Sequence, residues 1–455
     1  MSGERAAAPR KLVLVVIDGL TPSMLEGSLG TPALPTLTAL AERGTLTRAT
    51  TTFPSLTPVC LSSIATGAHP DVHEIPHLVW WHRRERRLVE YGSSFGAARA
   101  AGLGRTLRDT LVGMNAEHLG RRAVTVFEAL ADAGLETAAV NFTAYRGRTL
   151  HRPAVPLLDA VRGPERFYFY NLFRSERTGA PLSFRNRAAG TIDAYAAAVG
   201  RWLVTRDGFD FLLLYLSDYD YASHAAGPDA AADVLERCDA AVGGLVGAAG
   251  GLEEFLERYA VVVMSDHGQT AVTDIARLGE RFRNVPETLV AASNRAAQLY
   301  RLGPEAPSAR ELAERLDGEP SVEVALFAED GVVVARRDGA EVRIAADASG
   351  LVLDGDRGLL DHPDAVARAD ASVRCPNAGE VIVSATEGWE FADLGGRHHL
   401  GGGSHGSLVE GDSVVPILSV GLHGAAAPGA VVDVAPAILA HFGVEAPGYA
   451  LERAA

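Results

Sequence analysis

A chain of 455 residues, 47% hydrophobic and 22% charged, has the make-up of a folded protein with two or three domains or one large core carrying insertions, which excludes disorder over most of its length. Its formal net charge of −15 argues against a nucleic-acid polymer as the main ligand, because phosphate backbones are held by clustered Lys and Arg. Three dispersed cysteines, Cys60, Cys238 and Cys375, exclude a disulfide framework and read as free buried thiols, and a single lysine, Lys11, excludes Schiff-base and P-loop chemistry.

Residues 1–10 are expected to fray. The first element, Leu12 to Ile17, is a continuous apolar run, the mark of a central parallel strand covered on both faces. It is too short for an export signal and lacks a small-residue cleavage site. No apolar run reaches the roughly 20 residues of a membrane span. The expected location is the cytoplasm, with no membrane partner. The Arg-, Ala- and Gly-rich composition points to a bacterial source of high GC content.

A helical pattern follows at 34–43, and an insertion, read as a lid, at 80–119. Helices are then predicted at 124–133, 188–204 and 229–258, alternating with strands at 137–140, 211–216 and 260–264. Strands alternating with helices predict an α/β fold with a doubly wound, mostly parallel sheet. Over 286–387 the pattern changes to short strands at 322–327, 332–336, 341–345 and 351–353, separated by Asp-Gly and Gly-rich turns. This segment reads as a small α+β insertion into a core formed by 11–285 and 388–450, with a closing helix at 431–442.

In doubly wound sheets, ligands sit outside the carboxyl ends of the strands. Three predicted strands end in carboxylates: Asp18, the segment Asp218-Tyr219-Asp220, and Asp266-His267. Unneutralised, these acids repel one another, and a shared cation is the simplest remedy. Five segments carry the chemistry: Ile17-Asp18-Gly19, Phe53 to Pro58, Asp220 to His224, Ser265 to Gly268, and Gly403 to Gly406. Together they offer Asp18, Thr57, Asp220, His224, Asp266, His267 and His405, enough donors for two metals with open positions. Asp220 and His224, four apart, share one face of a helical turn. Gly268, Gly403 and Gly406 are expected to let the backbone approach the ions. Thr57 lies just ahead of a predicted helix, where amides and the dipole favour anions.

In this order the segments resemble the nucleotide pyrophosphatase/phosphodiesterase branch of the alkaline phosphatase superfamily, over about residues 11–448. Thr57 to Gly67 is similar to its nucleophile helix, Asp220 to Pro228 to its Asp-x-x-x-His-x-x-Gly-Pro segment, and Ser265 to Gly268 to its Ser-Asp-His-Gly. The resemblance implies one zinc on Asp18, Thr57, Asp266 and His267, and another on Asp220, His224 and His405; manganese or iron fits the same donors. It implies hydrolysis of a small, nucleotide-like phosphodiester or pyrophosphate through a phospho-threonine on Thr57. Phosphomonoester or phosphonate hydrolysis, and a non-catalytic metal scaffold, are the alternatives. A sulfatase is disfavoured, since no Cys-x-Pro-x-Arg occurs.

The chain departs from the branch at two points. His73-Glu74 replaces His-Gly, and Leu78 stands where an Asn usually meets the phosphate. His77, His82 and Arg83 are candidate substitutes but read first as loop residues. Leu78, Trp80 and Trp81 are the expected substrate-pocket residues, the tryptophans stacking on a base. Asp218 is expected to support the ligands, and His398 and His399 to lie near them. Nothing in the sequence sets the oligomeric state.

Overall fold

The computed structural model describes residues 10–154, 158–169, 172–175, 192–347, 350–424 and 426–450. Residues 1–9 of the segment expected to fray, and 188–191 of one expected helix, lie outside them.

The core is an eight-stranded mixed sheet. Its order is Thr45–Thr50, Val414–Val420, Tyr259–Met264, Lys11–Ile17, Phe211–Leu216, Thr137–Val140, Arg166–Phe169 and Phe173–Ser175. The five strands from Tyr259–Met264 to Arg166–Phe169 run parallel, and the outer pairs are antiparallel. Leu12 through Ile17 are all fully buried. Leu12, Leu14 and Val16 pack on one face with Leu61, Ile64, Phe127 and Leu130, while Val13, Val15 and Ile17 pack on the other with Val199, Leu203, Val234 and Leu235. An apolar side chain at every position is what a strand with helices on both faces requires. In register, Ile17 pairs with Leu216 and Val16 with Met264, so the residues after these three strands emerge together at one edge.

The helix predicted at 229–258 is instead three elements: a 3-10 turn at Pro228–Ala230 and helices at Ala232–Ala249 and Leu252–Arg258. Gly250 and Gly251, at φ 114° and 139°, break it, a conformation that only glycine adopts without strain. The closing element is likewise a 3-10 turn, Val431–Asp433, and a helix, Val434–His441. Four strands of the main sheet escaped sequence reading: Thr45–Thr50 and Val414–Val420 at one side, and Arg166–Phe169 and Phe173–Ser175 at the other.

Residues between Thr288 and Ala385 build a separate seven-stranded antiparallel sheet. Its order is Thr288–Ser293, Ala296–Arg301, Val381–Ala385, Val322–Glu329, Val332–Arg337, Ala340–Asp347 and Gly350–Gly355. The 80–119 segment forms a hairpin of Val79–His82 with Arg87–Glu90, helices at Phe95–Ala101 and Leu103–Arg108, and a π-helical run at Asp109–His118. No helix among the described residues is long and apolar enough to cross a membrane.

One buried ion pair clamps the second sheet to the core. Arg295, in the turn between its first two strands, donates from Nη1 to Asp412 Oδ1 at 3.0 Å, with both side chains fully buried. Its Nε and Nη2 donate to the carbonyls of Trp389 and Thr386 at 3.0 and 2.9 Å. Asp412 also accepts from Ser407 and Thr270. Asp412→Ala strands a charge inside the protein and is expected to cost about 3–5 kcal/mol. A shift of the urea midpoint at unchanged m-value reads this; a loss below about 1 kcal/mol would show that the pair is not a clamp.

Candidate active site

The seven predicted donor residues converge at the carboxyl edge of the parallel strands. Asp18 Oδ1 lies 3.2 Å from His267 Nε2, and Asp266 Oδ2 lies 3.6 Å from the same nitrogen. Thr57 Oγ1 is 3.1 Å from it as well. Asp220 faces two further imidazoles, with Oδ2 3.3 Å from His224 Nε2 and Oδ1 3.8 Å from His405 Nε2. Two sets of donors close to within 4.8 Å: Asp18, Asp266 and His267, and Asp220, His267 and His405. His267 thus sits in both sets, and its ring stacks on that of His405 at 3.6 Å.

The arrangement suits cations. Asp18 Oδ1 and Asp266 Oδ2 are buried with no hydrogen-bond partner among the described residues. A buried carboxylate left so is costly unless a positive charge meets it. The three imidazoles are aimed alike: Nδ1 of His224, His405 and His267 contacts the carbonyls of Gly403, Ser55 and Gly268 at 2.7, 2.7 and 3.1 Å. That leaves each Nε2 turned to the cluster, the orientation that metal-ligating histidines take.

The charges here are strongly coupled. Burial, then the nearby Asp220, raises the Asp18 carboxyl, and burial, then Asp18, raises that of Asp266 well above the usual range. Burial alone would lower His267, but Asp266 and Asp18 push it up to about 10. Burial and the His267 charge hold His405 well below its ordinary value. At neutral pH His267 therefore holds a proton that a divalent cation must displace.

Several supporting residues carried no sequence signal. Gln269 donates to Asp220 Oδ1 and accepts from Ser223 Oγ, and Tyr215 donates to Asp18 Oδ2. Gly19, at φ 70°, is required because a Cβ there would meet Gln269 Nε2 at 2.8 Å and Asp220 at 3.0 Å. Gly403 serves the same inter-loop packing, against Gln269 and Ser223, rather than an approach to ions. Buried Glu390 accepts from His399 Nδ1 at 2.7 Å, and the His399 ring stacks on His224 at 4.0 Å. Asp193 accepts from the amides of Ser217 and Asp218 at 2.8 and 3.3 Å, and Asp218 in turn accepts from the Asp193 amide. Asp218 thus fixes the loop rather than the donors. Asp193 and Glu390 lie in segments without any motif, so only folding reveals them.

The expected substrate residues fare differently. Leu78 lines the cavity beside Thr57. Trp80 does not: it is fully buried in the core, stacked on His82 at 5.4 Å, with no face free for a base. Trp81, one step along the same strand, packs partly buried against the core and is not in the cavity wall. The candidate substitutes turn elsewhere as well. His77 is fully buried, its Nδ1 2.9 Å from the Val79 carbonyl, while Arg83 pairs with Glu380 at 3.0 Å and His82 faces Glu85 at 3.7 Å. At the other departure, Glu74 holds φ 64°, the left-handed backbone that a glycine would take there. The Thr57–Thr66 helix offers fewer amides than expected. Pro58 has none, and those of Val59 and Cys60 turn back to Leu56 at 2.9 Å, which leaves the Thr57 N–H without a partner among the described residues.

Asn294 was not anticipated. It stands beside Arg295 in the turn of the second sheet, at φ 56°, only 8% exposed, with Nδ2 3.0 Å from His405 Nε2. It and Leu78 line the same cavity of about 730 Å³, as do Asp18, Thr57, Asp220, His224 and His405.

The sequence matches the model of the type I phosphodiesterase / nucleotide pyrophosphatase family over residues 12–408. Among curated proteins none matches it. Among solved structures, the fold is similar to that of murine ectonucleotide pyrophosphatase / phosphodiesterase 5, with a TM-score of 0.62 and 14% identity over 96% of both chains. An inactive threonine-to-alanine form of that murine protein, in complex with AMP, superposes with a TM-score of 0.61 at 14% identity over 96% of both chains. Phosphonoacetate hydrolase from Sinorhizobium meliloti 1021, in complex with phosphonoformate, has a TM-score of 0.61 and 19% identity over 97% of this chain and 98% of its own.

Zinc titrated at pH 7 into chelator-treated protein is expected to bind to about two equivalents, with release of protons into weak buffer. His267→Ala should lower both quantities most, because His267 belongs to both donor sets. Binding of a single equivalent by the unaltered protein would rule out the paired arrangement.

Proposed function

The chain belongs to the type I phosphodiesterase / nucleotide pyrophosphatase family and is thereby a phosphoester hydrolase; from that premise we propose that it cleaves a small phosphate diester or pyrophosphate by in-line attack of the Thr57 hydroxyl. The observation that carries the proposal is the position of Thr57 Oγ1, on the cavity wall and 3.1 Å from His267 Nε2, where both donor sets meet. Asp18, Thr57, Asp266 and His267 would hold one divalent cation and Asp220, His224 and His405 a second, probed first as zinc; these would supply the positive charge that acidifies a hydroxyl and offsets charge on phosphoryl oxygens.

The protein's own groups do the rest. The start of the Thr57–Thr66 helix holds Oγ1 at the cavity floor. As the Oγ1–P bond forms, the P–O bond to the leaving alcohol breaks, and the alcohol departs with a proton. Water then splits the phospho-threonine and restores the hydroxyl. The Thr57 N–H and the Asn294 amide would donate to the non-bridging oxygens, Asn294 taking over the task that an Asn at position 78 would have served. Beyond the two cations that these donors would hold, Arg397 is the one fixed positive charge among the described residues lining the cavity, an arrangement that favours a monoanionic diester over a dianionic monoester. The inactive threonine-to-alanine form of the murine neighbour, in complex with AMP, supports a threonine in this role.

An aryl diester and an aryl monoester assayed with metal-loaded protein test the reading; a higher kcat/KM on the monoester would overturn it. Thr57→Ala is expected to lose at least about a thousandfold in turnover while metal content holds, and retained turnover would move the nucleophile elsewhere. Asn294→Ala should lower kcat/KM about a hundredfold at unchanged metal content, with partial recovery on adding Leu78→Asn. Loss of metal from Asn294→Ala would assign Asn294 to the metal site instead.

A further inference from the structure

Among the described residues, eight large apolar side chains stand exposed, and four of them line this one cavity: Phe95 at 72%, Leu103 at 49%, Leu107 at 47% and Tyr221 at 60%. Scattered apolar residues on a surface need no explanation, but a cluster facing a site does. Leu103, Leu107 and Leu111 follow one another at a spacing of four, which lines them up on one face of the helical segment. Eight residues of helix span about 12 Å, longer than one aromatic ring. Leu111 and Met114, both buried, continue the stripe inward from the rim.

The segment that carries the stripe is tied to the preceding hairpin. Asp109 forms an ion pair with Arg87, and the Tyr91 hydroxyl contacts His118 Nδ1 at 2.8 Å. Leu111 and Met114 lie in the π-helical run that continues this helix, and both line the cavity. The far end of the cavity adds Phe169 and Leu172, again apolar. Beyond the donor cluster, Arg397 is the one fixed positive charge among the described lining residues, so a second phosphate would have to rest mainly on neutral donors.

We infer that the group esterified to the phosphate in the natural substrate is an extended, uncharged alkyl or acyl chain that lies along Leu103, Leu107 and Leu111. This rests on the hydrolytic reading above and names its substrate class: one phosphoryl centre bearing a long apolar substituent, in place of a nucleoside or a polyphosphate. The chain contributes binding through its burial against the stripe, while the phosphoryl group stays at Thr57. Each methylene that leaves water for such a wall raises affinity about two- to fourfold.

The test uses 4-nitrophenyl diesters of methyl, butyl and octyl phosphate, each below its aggregation concentration, and the 4-nitrophenyl ester of thymidine 5′-phosphate, with the metal-loaded full chain. The octyl ester is expected to exceed the methyl ester in kcat/KM by at least about tenfold, and to exceed the thymidine ester. In the double variant Leu103→Ser with Leu107→Ser, the octyl-to-methyl ratio should fall toward one. Leu150→Ser, at an exposed leucine outside the cavity, should leave the ratio as it was. A ratio near one in the unaltered protein, or preference for the thymidine ester, overturns the inference and leaves the hydrolytic reading standing. If no ester is turned over, the hydrolytic reading fails, and calorimetry of octylphosphonate against methylphosphonate still decides the stripe. Tighter octylphosphonate binding that the double variant loses supports it, and equal binding of the two overturns it.

Discussion

Three carboxylates forced together in a buried place govern this molecule. Asp18, Asp220 and Asp266 follow three strands that lie side by side in register, so the sheet cannot form without bringing them to one edge. Each is at least nine-tenths buried, where like charges cannot all persist unpaired. Three imidazoles relieve part of the repulsion, and their Nδ1 atoms are tied to backbone carbonyls so that the other nitrogen faces the acids. Two carboxylate oxygens still lack a hydrogen bond among the described residues, which suits the site to cations.

The rest of the fold divides the labour around that edge. Asp18, Asp266 and His267 follow strands of the parallel core, Thr57 and Asp220 each lie in the first turn of a helix, His224 lies in the last turn of the second of these helices, and His405 follows the short strand Gly403–Ser404. The second sheet adds one residue, Asn294, and holds it in place through its neighbour Arg295, whose buried pairing with Asp412 ties the turn to the same loop region that carries His405. The helices after the Val79–Glu90 hairpin contribute no charged donor and line the cavity mainly with apolar side chains, with Thr106 and Thr110 among them. On the proposed reading, chemistry rests on the sheet and selectivity on the segments inserted around it, which can vary without disturbing the strand register.

Legibility in the sequence followed how local each signal was. The strand of Leu12 to Ile17 was readable because burial on both faces leaves only apolar residues. The donors were readable because each follows such a strand or lies in a short glycine-bearing motif. Trp80 misled because an aromatic near a nucleophile looks the same in sequence whether it faces a ligand or the core; its neighbours His82 and His118 bury it. The long helix at 229–258 misled because apolar periodicity continues across Gly250-Gly251, while the backbone there does not.

By itself, the sequence determined the α/β core, the acidic strand ends and Thr57 at a helix start, because each depends on residue type over a few positions. Only the tertiary structure decided that His267 is shared by both donor sets, that Asn294 reaches the site from a separate sheet, and that Leu103, Leu107 and Leu111 face the cavity. Those facts depend on distances between residues hundreds of positions apart, or on which side of a helix meets solvent, and chain order encodes neither.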